Sequence, residues 1–275
     1  FERVINISDN MRITIIAIIL FCFCVNSART QNLYGTTGLL QMPTAEMQKD
    51  KTFMCGGGVL NPEIMPSKEW WGNYYTFNYY VNITIFPWLE IGYNCVLVKA
   101  KPNIYHWVPS TYGRFVNQDR SFHGRLRVWK EGWWRVWTPQ VVVGANDPTT
   151  GSWEGGSSSD DQRYNGFFCR YYVVATKHVE FTNGSWGVHV AYVFNKKEVN
   201  HLNGPAIGTN YRFSLPRTSF INKVLNGVNL IIEYDSKQVN IGGCYSLWKD
   251  HINIYGELYK CKHPSLGLNF KIGLK

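Results

Sequence analysis

The stretch YYTFNYYVNITIFPWLEIGYNCVLV, residues 74–98, constrains the fold more than any other part of the chain. From Tyr75 to Ile85 every odd position but none of the intervening Thr76, Asn78, Asn82 and Thr84 is apolar or aromatic: Tyr75, Phe77, Tyr79, Val81, Ile83, Ile85. After Phe86-Pro87-Trp88 the alternation resumes, with Leu89, Ile91, Tyr93, Cys95 and Leu97 set against Glu90, Gly92 and Asn94. A period of two puts each set on one face of a β-strand. Eleven residues extend about 36 Å at about 3.3 Å each, and a tilt of about 40–45° leaves a height of about 25–28 Å. That matches the apolar band of a transmembrane barrel, whereas ordinary strands average about 5–6 residues. Lipid cannot satisfy an open strand edge, so such a sheet has to close on itself.

The same pattern recurs along the chain. In DRSFHGRLRVWK, Phe122, Leu126 and Val128 oppose Asp119, Ser121, His123, Arg125 and Arg127; in WTPQVVVGAN, Val141, Val143 and Ala145 oppose Gln140, Gly144 and Asn146. FFCRYYVVATK and SWGVHVAYVF repeat it, and PSLGLNFKIGLK is the cleanest case, with Leu266, Leu268, Phe270, Ile272 and Leu274 against Gly267, Asn269, Lys271 and Gly273. With TFMCGGGVL, AIGTNYRFSL and the segments around residues 228–259 the count reaches about 12 strands, range 10–14, and closed antiparallel barrels favour even numbers. RTSFINKVLNG reads as a short helix or a loop. Short connections (Phe86-Pro87-Trp88, residues 131–135, Thr182-Asn183-Gly184) alternate with long ones (99–118 and 147–166) in the first half, the wiring of an outer-membrane barrel. Trp88, Trp133, Trp134 and Trp137 sit at short turns and Trp70, Trp71, Trp107 and Trp153 near longer connections, as two interfacial girdles require.

Composition agrees. Charged residues make up 17% and aromatics 16%, a surface suited to something other than water. No run in the body of the chain is long enough to span a membrane as a helix. The run ITIIAIILFCFCV, 13–25, follows Met11-Arg12 and ends near Ser27-Ala28, the layout of a cleaved secretory signal peptide. Residues 1–10 are therefore expected to be upstream sequence, 11–27 the signal peptide and 28–275 a single barrel domain. The net charge of +9 stays with the exported part and suits anionic polymers or lipid head groups. Five cysteines beyond the leader, widely spaced and with no CxxC pair, argue against zinc or thioredoxin-type chemistry. Neither a nucleotide loop nor a metal-ligand cluster is recognisable, so no cofactor, metal or nucleic-acid partner is expected.

Five segments occur in order: GTTGLLQMPTAEM (35–47), FPWLEIGY (86–93), DRSFHGRLR (119–127), YVVATKHVEF (172–181) and EYDSKQVNIG (233–242). They resemble the YjbH-like exopolysaccharide-biosynthesis family of Gram-negative outer-membrane proteins. The resemblance implies a β-barrel acting with machinery that makes or exports extracellular polysaccharide or capsule. Many members are longer, this chain has His123 and Arg125 where a lysine-rich version is usual, and it ends in Lys275 instead of an aromatic residue.

If the apolar phase meets lipid, the opposite phase faces the lumen. Glu90, His123, Arg125, Arg127, Arg170, Glu233, Asp235 and Lys271 are the candidate lumen residues, with Lys177 and Glu257 beside them. They serve either as an interior salt-bridge network or as a net-basic surface guiding an acidic glycan, for which arginine offers paired hydrogen bonds. Glu233 and Asp235 share a face, and pairing with arginines is expected over glycosidase chemistry, because same-strand neighbours fall at the right spacing by geometry alone. Asp119, Ser121 and His123 spell a triad but diverge at i, i+2 spacing. GTTGLLQMP is expected as a first short strand or an inward-folded plug, with Gly35 and Gly38 allowing tight turns. The overall expectation is a non-enzymatic outer-membrane barrel in polysaccharide secretion or assembly. It would contact outer-membrane lipid, an anionic polysaccharide and periplasmic export proteins. Alternatives are a narrow general porin and a soluble carbohydrate-binding β-sandwich.

Overall fold

A computed structural model describes residues 32–65, 74–99, 113–148, 168–194 and 202–274. The proposed leader, the tryptophans at 70, 71, 107 and 153, and the Gly/Ser/Asp-rich stretch within 149–166 lie outside the described residues. The fold is a closed antiparallel transmembrane β-barrel of twelve strands. In chain order they are β1 (Thr52–Leu60), β2 (Thr76–Phe86), β3 (Leu89–Lys99), β4 (Phe115–Trp129), β5 (Gln140–Asn146), β6 (Arg170–Phe181), β7 (Gly184–Phe194), β8 (Gly204–Phe213), β9 (Val228–Tyr234), β10 (Val239–Leu247), β11 (Ile252–Tyr259) and β12 (His263–Gly273). Each pairs with its neighbours in sequence, and β1 closes on β12 with Phe53 opposite Ile272 and Val59 opposite Leu266.

The period-two reading fixes which side faces out. On β2, Phe77, Tyr79 and Val81 are exposed while Thr76, Asn78, Asn82 and Thr84 are buried. On β12, Leu266, Leu268, Phe270 and Ile272 are exposed and Ser265, Asn269 and Lys271 buried. In a water-soluble sandwich these burials would be reversed. The outward belt is hydrocarbon-like because bilayer lipid covers it, each strand's backbone groups being satisfied by the closed ladder. Trp88, Trp133, Trp134 and Trp137 project outward at the short-turn end, where amphipathic rings suit the headgroup level.

The wiring follows local chemistry. At the short-turn end β2–β3, β4–β5, β6–β7, β8–β9 and β10–β11 are joined, and β1 begins and β12 ends. The β8–β9 connection carries the one α-helix among the described residues, α1 (Phe220–Leu225), with Ser219 as its N-cap accepting the Asn222 amide at 3.2 Å. At the opposite end, Lys260 and Cys261 both take left-handed φ (55° and 56°) in the three-residue connection 260–262 that joins β11 to β12.

Candidate functional site

The barrel interior is filled by the segment that precedes β1. Residues 32–48 lie inside, with Thr37, Gln41, Met42, Thr44, Ala45 and Met47 all at 0% exposure. GTTGLLQMP is thus the inward plug of the two forms expected from sequence. Its centre is a tight turn: Gly38 bridges Pro43 and the Leu39 amide donates to the Met42 carbonyl at 3.1 Å. Gly35 has a left-handed φ of 84° and passes so close to the Tyr80 ring that a Cβ would collide with it. That position requires glycine on both counts.

A backbone turn inside a barrel has amides and carbonyls that water cannot reach, and each orphan costs about 1–3 kcal/mol. Side chains on the strands satisfy them. Glu233 on β9 accepts the amides of Leu40, Gln41 and Met42 at 3.0, 2.8 and 3.3 Å. Arg170 on β6 donates to the Gln41 carbonyl at 3.0 Å and lies 5.2 Å from the centre of the Tyr34 ring. Glu90 on β3 accepts the Thr37 amide at 3.0 Å and its hydroxyl at 2.7 Å. Arg125 on β4 donates to the carbonyls of Thr37, Thr44 and Glu46, and its guanidinium is 3.5 Å from Glu90. Thr176 on β6 accepts the Ala45 amide at 2.8 Å, and Glu257 on β11 accepts the Gln41 side-chain amide at 2.7 Å.

Of the eight residues singled out from sequence, Glu90, Arg125, Arg170 and Glu233 therefore converge on the plug. His123 joins them at one remove, its Nε2 at 3.1 Å from the Asn82 side-chain amide that also donates to Glu90. Three stand apart. Asp235 accepts the amides of Lys237 and Gln238 in the β9–β10 turn, Lys271 donates to Asp250 at 3.1 Å at the short-turn end, and Arg127 is half-buried near the end of β4. The expected pairing of Glu233 and Asp235 with arginines is corrected: backbone amides and the Asn240 side chain take that place, because the turn of the plug offers three N–H groups to one carboxylate. Ser121 and His123 turn to different partners, Ser121 to the Asn94 carbonyl, so their shared face makes no relay.

Nor is the inner face uniformly polar. Leu39, Leu40, Met42, Ala45 and Met47 of the plug pack on Val142, Val174, Ala191, Val193, Ala206 and Ile231. A second cluster at the long-connection end joins Leu33 and Tyr34 to Leu60, Ile64, Phe168, Tyr255 and Tyr259. The signal was present where alternation fails: VVV at 141–143, VV at 173–174 and LII at 230–232 are apolar in both phases, one facing lipid and the other the plug. A missed ionic cluster lies at the short-turn mouth. Glu46 of the plug meets Arg212 at 2.6 Å and His178 at 2.9 Å, and His178 and Lys177 both reach Glu131, at 2.8 and 2.7 Å. Burial works to raise the Glu131 carboxyl, but hydrogen bonds from His178 and Lys177 hold it below its usual range.

The sequence profile of the YjbH family, described as "Exopolysaccharide biosynthesis protein YbjH", matches residues 30–214. A protein of Escherichia coli strain K12 named "Uncharacterized lipoprotein YjbH" is 31% identical over 162 residues, 58% of this chain and 19% of that protein, so the chain spans about a fifth of that relative's length. Among solved structures, a Salmonella typhi outer-membrane phospholipase (OMPLA) dimer with bound calcium is similar at 11% identity, covering 81% of this chain and 90% of that one, with a TM-score of 0.33. Outer-membrane phospholipase A from Escherichia coli is similar at 12% identity, 82% and 97% coverage and a TM-score of 0.30. The expectation of a non-enzymatic protein is corrected on this finding: both of these similar barrels are named as phospholipases.

Proposed function

The chain belongs to the YjbH exopolysaccharide-biosynthesis family, and from that premise we propose that it serves the secretion or assembly of an extracellular polysaccharide at the outer membrane, delivered there by a cleaved signal peptide. Family membership is the observation that carries this reading, and the lipid-facing belt of the barrel supports the location. The plug shapes the mechanism. Arg125, Arg170, Glu90 and Glu233 are engaged with residues 37–46, so an acidic glycan does not meet them as an open basic channel while the plug is seated. Glycan and periplasmic export proteins are met at the mouths of the barrel, and the chain's overall net charge of +9 favours acidic partners.

The test is removal of the gene followed by quantification of surface polysaccharide. Loss that returns with the wild-type gene is the expected result. Unchanged polysaccharide, together with steady ion conductance of the purified barrel in a planar bilayer, would establish the porin reading instead.

A further inference from the structure

The β4–β5 connection, residues 130–139, carries its apolar side chains on the outside. Trp133, Trp134 and Trp137 are 65, 67 and 62% exposed, and Val136 is 88% exposed. The backbone beneath them is firmly held. Gly132, with a left-handed φ of 74°, donates its amide to the Thr138 carbonyl at 3.1 Å. The amide and the hydroxyl of buried Thr138 both donate to the Arg135 carbonyl, at 2.9 and 2.7 Å. The loop thus closes on its own polar groups and presents three rings and a valine outward. A grouped apolar surface of this kind marks a contact with a partner or a membrane.

Continuity and charge decide what covers it. On β4 the lipid-facing side runs through Phe122, Leu126 and Val128, and a bulge between Arg127 and Trp129 leaves Trp129 exposed beside Val128. Trp129 meets Trp133 edge-on at 5.6 Å, so the lipid-facing belt passes directly into the loop. The loop's cations, Lys130 and Arg135, are both exposed, whereas its one carboxylate, Glu131, is taken up by Lys177 and His178 at 2.7 and 2.8 Å. The charge left facing outward is therefore positive. The Arg135 guanidinium lies 4.9 Å from the centre of the Trp134 ring, which keeps a cation at the level of the rings. Indole rings favour the headgroup region of a bilayer, and guanidinium offers a phosphate paired hydrogen bonds. A glycan could stack on the rings but would gain nothing from Val136. We propose that this loop is a recognition site for anionic phospholipid in the leaflet at the short-turn end. Trp133, Trp134, Val136 and Trp137 enter the interface, and Lys130 and Arg135 hold the lipid phosphate. The site is independent of the polysaccharide reading.

The experiment reconstitutes the full chain in vesicles of phosphatidylcholine mixed with phosphatidylglycerol. Val136→Cys, in a Cys261→Ser background, carries an environment-sensitive fluorophore, and the Cys261→Ser parent labelled in parallel gives the baseline. Emission typical of an apolar interface, quenched by lipids bearing a nitroxide near the headgroup, is the expected result. Emission as in water overturns the site and leaves the patch to a soluble partner. Selectivity is read by electron paramagnetic resonance, as the association of spin-labelled phosphatidylglycerol relative to spin-labelled phosphatidylcholine. The wild-type barrel is expected to prefer the anionic lipid. Lys130→Gln and Arg135→Gln are each expected to cut that preference by about fivefold, while heat-dependent gel mobility stays that of the folded barrel. Equal association of the two lipids with the wild type, or an unchanged preference in the double variant, overturns the recognition.

Discussion

The carboxylate of Glu233 accepts the backbone amide of Gln41 at 2.8 Å, joining positions 192 residues apart in the chain. The same carboxylate takes the amides of Leu40 and Met42, so one side chain on β9 closes the turn of the plug. Glu233→Ala leaves three buried N–H groups without their acceptor, each worth about 1–3 kcal/mol unless water enters. Exchange of the amides at residues 40–42 is expected to accelerate by about 100-fold, read by hydrogen-exchange mass spectrometry. Strand amides far from the plug keep their protection, so a uniform acceleration across the barrel would contradict this role.

Arg125 and Glu90 form a fully buried pair that also holds Thr37, Thr44 and Glu46. Arg125→Met is expected to destabilise the barrel by about 3–5 kcal/mol, because Glu90 and three carbonyls lose their cation together. Adding Glu90→Gln is expected to recover part of that loss, since the uncompensated charge is then gone. Urea-denaturation midpoints in detergent for the two single variants and the double variant measure the coupling; strict additivity would dissolve the pair.

The belt makes a depth-dependent prediction. Leu268, outward at the middle of β12, is expected to cost about 2–4 kcal/mol as Leu268→Arg, whereas His263→Arg at the strand's end costs about 0–1 kcal/mol. Folding titrations into lipid vesicles read the difference. Equal costs at the two positions would mean that the face at Leu268 does not touch hydrocarbon.

At the short-turn mouth, Glu131 ties His178 and Lys177 together. Its carboxyl is held below its usual range, so the stabilisation it gives is complete above the unfolded value of about 4.3 and fades as pH falls through the lower folded value. Glu131→Gln is expected to flatten the acid limb of the stability–pH curve below about pH 4.3. An acid limb identical to wild type would count against the tie.

Orientation has a chemical readout. The short turns of outer-membrane barrels are periplasmic, which puts the β11–β12 turn outside the cell. Cys261 is exposed in that turn, while Cys95, Cys169 and Cys244 are buried. A membrane-impermeant maleimide on intact cells is expected to label Cys261, and Cys261→Ser to abolish that signal. Labelling only after the outer membrane is opened would invert the barrel.

Strand number, facing and closure were legible in the sequence because they are local. Alternation at Tyr75–Ile85 or Leu266–Leu274 decides a face by itself, and a lipid-facing strand has no option but to pair on both sides. The chemistry of Glu90, Arg125, Arg170 and Glu233 was visible as charge on the inner phase, but its object was not. Those side chains meet backbone groups of residues 37–46, and a backbone amide has no signature in a sequence.

What the sequence by itself determined is therefore the wall: twelve two-faced strands whose greasy side belongs in a bilayer. What only the tertiary structure decided is the occupant of the interior, and with it the meaning of the inner charges. The physical reason is range. A strand's face follows from its own neighbours, whereas the pairing of Glu233 with Gln41 or of Glu46 with Arg212 exists only once the closed wall brings distant segments within hydrogen-bond reach.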